Sequence, residues 1–84
     1  MYLIKYCGQW NYRPRAESLS AQINKTLPDT CEIEQGEIGQ FSIFRNGELI
    51  LSKATLGRFA TFEDVQEEYD KSISAEDISD VPLP

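Results

Sequence analysis

The apolar positions of this chain change period several times, and each change marks an element. Tyr2, Leu3, Ile4 and Tyr6 around Lys5 are dense in β-formers and predict a strand over residues 2–6 that stops at Cys7-Gly8. Ala16, Leu19, Ile23 and Leu27 then recur at helical spacing until Pro28 forbids continuation. With Asn11 as the expected N-cap and Pro14 suited to a first turn, this predicts a helix over residues 12–26.

Period two returns at Thr30–Gln35, where Cys31 and Ile33 share one face and Glu32 and Glu34 the other, which reads as a half-buried strand. Gly36 and Gly39 mark a loop. Residues 41–45 and 48–53 flank Asn46-Gly47, the pair that a type I′ hairpin turn favours because both central residues need φ > 0. Across that hairpin Arg45 and Glu48 are expected to face each other. Regular alternation then puts Ile43 with Ile50 on one face and Phe44, Leu49 and Leu51 on the other.

Beyond a loop at Gly57-Arg58-Phe59, Thr61 followed by Asp64 resembles a capping box, and Phe62, Val65, Tyr69 and Ile73 trace one side of a second helix. Glu63, Glu67, Glu68 and Asp70 form its wet side. From Ser74 the chain is acidic with Pro82 and Pro84, so residues 1–73 read as the domain and 74–84 as a loose C-terminal tail. The order β-α-β-β-β-α makes this an α+β two-layer sandwich. A right-handed β-α-β crossover sets two strands parallel, and the hairpin completes a four-stranded mixed sheet.

Size and charge narrow what such a layer is for. The 84 residues hold one modest core. The formal charge of −6 repels phosphate backbones and anionic lipid heads, so neither nucleic acid nor membrane is an expected partner. No apolar run reaches the length of a membrane span or a secretory leader, and the cytoplasm is the expected compartment. With no histidine and only two cysteines, the chain lacks the usual ligands for zinc and the usual base of acyl-transfer enzymes. No metal and no resident cofactor are expected. Thiol chemistry, or no chemistry, is what the inventory leaves.

Of the two thiols, Cys7 stands at a strand end ahead of a helix, where the helix dipole together with Arg13 and Arg15 would favour thiolate. Cys31 begins the second strand. In a parallel β-α-β unit the two are about a strand's length, ~15 Å, apart. A disulfide needs Cα atoms within about 7 Å, so an internal bridge is excluded and Cys31 reads as a small core residue.

Tyr6-Cys7-Gly8-Gln9, Asn11, Arg15 and Ala16, followed by Gly39, Phe41, Asn46-Gly47-Glu48-Leu49-Ile50 and the Gly57/Phe59 loop, resemble the selenoprotein W group of the Rdx family of thioredoxin-like proteins. The likeness spans residues 2–73. It implies a thioredoxin-like fold and a thiol-redox role with protein thiols or glutathione as co-substrate. Members of that family usually carry Cys-x-x-Cys or Cys-x-x-selenocysteine between the first strand and helix. Here Cys7 matches and Trp10 replaces the second member.

An indole cannot resolve a mixed disulfide, so any activity would be that of a monothiol. Cys7 is then the redox thiol, with Gly8, Gln9, Trp10, Tyr12 and, through the resemblance, Phe59 as site walls. A redox-inactive, protein-binding module is the competing expectation, and the apolar hairpin face suits either a homodimer or the C-terminal tail.

Overall fold

The computed structural model describes residues 1–80, with side chains described through Ser72. Strand β1 (Tyr2–Tyr6) is followed by helix α1 (Arg13–Thr26), then β2 (Cys31–Gln35), β3 (Phe41–Arg45) and β4 (Glu48–Ser52). A four-residue helix α2 (Lys53–Leu56) and a long helix α3 (Phe62–Asp80) complete the chain. The sheet order is β2-β1-β3-β4, with β1 parallel to β2 and the other pairings antiparallel. This is the expected α+β sandwich on a four-stranded mixed sheet.

One face of the sheet makes the core. Tyr2, Ile4 and Tyr6 of β1 stand beside Cys31 and Ile33 of β2 and Phe41 and Ile43 of β3. Helix α1 lays Ala16, Leu19 and Ile23 on this face, as its periodicity requires. Val65 enters fully buried from α3, with Phe62 and Tyr69 packed against the same cluster. Burial of a side chain such as Ile23 or Val65 stabilises the fold by about 1.5–3 kcal/mol each.

Polar side chains of α1 pin the start of β2. Asn24 of α1 donates to the Cys31 carbonyl at 3.0 Å and accepts from the Cys31 N–H at 2.8 Å, while the Ser20 hydroxyl donates to the same carbonyl. At the hairpin, Asn46 and Gly47 have φ of 52° and 84°, the left-handed pair that this turn demands.

Four details depart from the sequence reading. Asn11 is not the cap: it takes φ 59°, and Tyr12 occupies the cap position without a side-chain bond. Asparagine tolerates the left-handed region, which lets the turn before α1 tighten. A bulge between β3 and β4 pairs Ile43 with Leu51 and Phe44 with Leu49. Leu51 therefore joins the core at 8% exposure instead of sharing the outer face with Phe44 and Leu49.

The segment read as plain loop after β4 holds α2, capped by the Ser52 hydroxyl on the Thr55 N–H and ended by Gly57 at φ 73°. Helix α3 continues to Asp80 where an end near Ile73 was expected. Pro82 and Pro84 lie outside the described residues. On the outer face Leu3 and Phe44 are half-buried, Lys5 lies 5.5 Å from the Phe44 ring centre, and Leu49 is half exposed.

Candidate functional site

Cys7 leaves the end of β1 still bound to the sheet, its N–H donating to the Gln40 carbonyl at 2.7 Å. One residue earlier, the Tyr6 carbonyl accepts from the Gly36 N–H at 2.7 Å. These two bonds clamp the β2–β3 loop onto the strand end. The residues between Cys7 and α1 turn tightly enough that the amides of Gln9 and Trp10 point back at the Cys7 sulfur, and the amide of Gly39 reaches it from the opposite loop.

Burial pushes the Cys7 thiol up, and these three backbone N–H groups outweigh it, holding the thiol below its ordinary value. A concavity of backbone amides of this kind favours a negative charge without any basic side chain. Arg13 and Arg15 do not serve it: Arg13 Nε donates to Glu17 at 2.7 Å, and the Arg15 guanidinium lies 4.2 Å from the Phe59 ring centre. The expected help from the arginines is thus replaced by main-chain donors, because both side chains have nearer partners. The helix begins only at Arg13, so the turn amides, rather than the helix end, do the work.

Solvent does not touch Cys7, which is 0% exposed. The residues named as walls separate into two groups. Gly8 and Gln9 are exposed, and Gly8 lies against the Gln35 side chain. Trp10 is 58% exposed, with its indole over Gly39.

From Trp10 an aromatic series runs inward. Its ring centre is 6.2 Å from that of Tyr12, which stands 4.8 Å from Phe59, and Phe59 is 5.2 Å from Phe41. Edge-on pairs at these separations contribute about 0.5–1.5 kcal/mol beyond burial. Phe41, a strand residue that also belongs to the family resemblance, anchors the series from the floor. The series borders a groove of about 390 Å³ between α1 and the start of α3, where Arg15, Ser18, Gln22, Thr61 and Glu63 rim Phe59.

Cys31 lies elsewhere. It is a register partner of Tyr2 at the start of the parallel pair, and burial raises its thiol while Ser20 pulls the other way. Both cysteines are free. Gln40 and Gly39 complete the far side of the Cys7 site. In the sequence Gly39 stands out as a loop glycine and as one of the residues that carry the family resemblance, whereas Gln40 carries no mark.

The four-stranded mixed sheet with its β1-α1-β2 crossover has a thioredoxin-like fold. The model of the Rdx family matches residues 3–71, and the chain belongs to that family. Among solved structures it is similar to a selenoprotein W-related protein from Vibrio cholerae, at 25% identity and a TM-score of 0.74 over 86% of this chain and 94% of that one. A protein from Bordetella parapertussis shares the fold at 20% identity, with a TM-score of 0.77 over 84% of this chain and 94% of that one. No curated protein matches significantly. No helix among the described residues is long and apolar enough to cross a membrane.

Proposed function

We propose that this Rdx-family protein is a monothiol redox protein whose reacting atom is Cys7 Sγ. The observation that carries this reading is the convergence of the Gln9, Trp10 and Gly39 amides on that sulfur, which stabilises the thiolate form that attacks disulfides. In the proposed cycle the Cys7 thiolate displaces one thiolate from a disulfide, forming a mixed disulfide with the other half. A glutathione thiolate then attacks the glutathione or substrate sulfur of that adduct, forming a new disulfide and returning Cys7 as thiolate.

No other thiol of this chain is placed to take the second step. The cytoplasm, where thiols stay reduced, is the compartment this cycle requires. Protein thiols and glutathione are its proposed partners. The test is reduction of a small disulfide by reduced glutathione with the wild type or Cys7→Ser present. Acceleration by the wild type alone supports the cycle, and equal rates reject it.

A second reading rests on a different observation. Trp10 and Ile38, 58% and 65% exposed, stand beside a thiol that solvent does not reach. On that reading the aromatic rim is a protein-binding surface and the thiol is a structural acceptor for the turn. Trp10→Ala would then abolish partner binding while Cys7→Ser leaves it intact.

A further inference from the structure

The Cys7 site is assembled from two loops, and the contribution of the second loop falls on one residue. Residues 37–40 form a tight turn in which the Gln40 N–H donates to the Glu37 carbonyl at 3.1 Å and the Glu37 N–H donates to Gln40 Oε1 at 2.8 Å. Gly39 sits inside it at φ 77°, a conformation that side chains rarely adopt. Its neighbour Gln40 accepts the Cys7 N–H, so the turn is fixed relative to the sulfur.

Space at Gly39 is also closed. A Cβ added there would stand 3.3 Å from an indole carbon of Trp10, closer than ordinary van der Waals contact. Two independent demands, a left-handed backbone and a flat ring overhead, therefore converge on the residue whose N–H faces Cys7 Sγ. We infer that Gly39 is a positioning residue for the Cys7 thiolate: it delivers a backbone N–H from the opposite loop, and the Trp10 indole above it leaves no room for a side chain at that position.

This inference rests on the redox reading for its purpose and on the loop geometry for its substance. It also gives position 10 two separable parts. The Trp10 N–H acts on the sulfur whatever side chain the residue bears, whereas the indole acts on Gly39.

The test is the pH profile of Cys7 alkylation by iodoacetamide, followed by peptide mass spectrometry so that Cys31 is counted separately. Gly39→Ala is expected to move the midpoint up toward that of an ordinary thiol and to slow the reaction at neutral pH several-fold. The double variant W10A/G39N should restore a profile close to wild type, since asparagine accepts the left-handed backbone and the ring no longer blocks its Cβ. Circular dichroism checks that each variant folds.

If Gly39→Ala folds and its profile superimposes on the wild type, the inference is wrong. A double variant as shifted as the single one also overturns it. Should the wild type form no mixed disulfide with oxidised glutathione, the redox cycle falls, while the alkylation profiles still decide the role of Gly39.

Discussion

Cys31 pairs in register with Tyr2 at the start of the parallel strands, whereas Cys7 follows Tyr6 at their far end. The strand rise puts the two cysteines about 16 Å apart along β1. Their environments differ as much as their positions, with one sulfur facing amide donors and the other closed in by α1.

Oxidation of the monomer should therefore yield no crosslink between residues 7 and 31, because a disulfide needs Cα atoms within about 7 Å. Intact and peptide mass spectrometry after treatment with a mild oxidant checks this. An internal bridge would mean that the strands pair differently.

Replacing Trp10 by cysteine should change the chemistry rather than the fold. Residue 10 lies three positions from Cys7 across a turn, the spacing at which paired thiols close a disulfide. Trp10→Cys is expected to form a reversible internal disulfide and to release bound glutathione without an outside thiol. Loss of the edge-on pair with Tyr12 should cost about 0.5–1.5 kcal/mol beyond the burial lost with the indole.

The elements were legible because β2 and both long helices set a polar face against an apolar one, while β1, β3 and β4 were marked by their β-forming residues and by the Asn46-Gly47 turn. What stayed hidden was non-periodic. The bulge that sends Leu51 inward adds one residue to β4 and leaves no mark in composition. The lone sulfur at the strand end could be found from Cys7 and the helix behind it. Its actual donors could not, since backbone amides carry no residue identity, and Gly39 approaches only when the chain has folded. Arg13 and Arg15, close in sequence, turned instead to Glu17 and Phe59.

Acid should release one clasp at the start of α3. The Arg58 guanidinium, bonded at 2.7 and 2.9 Å, together with the Thr61 N–H at 2.8 Å, holds the Asp64 carboxyl well below the usual carboxylate range. Because the folded value lies below the unfolded one, its stabilisation is complete above about pH 4 and is lost as pH falls through the folded value. Asp64→Asn should destabilise the protein by about 1 kcal/mol at neutral pH, allowing for solvent screening of the pair, with the difference shrinking in acid. Denaturant titrations at two pH values measure it.

Asn24→Ala should destabilise the start of β2 by about 1–2 kcal/mol, since it removes the acceptor of the Cys31 N–H and one of the two donors to the Cys31 carbonyl, leaving only Ser20 there. Hydrogen exchange at the Cys31 amide should accelerate with it. The alkylation profile of Cys7 should not move.

The most direct measurement mixes the reduced protein with oxidised glutathione and weighs it intact. The account predicts one glutathione per chain, located on Cys7, absent from Cys7→Ser and removed by reduced glutathione. An unmodified wild type, or an adduct that persists in Cys7→Ser, would contradict it.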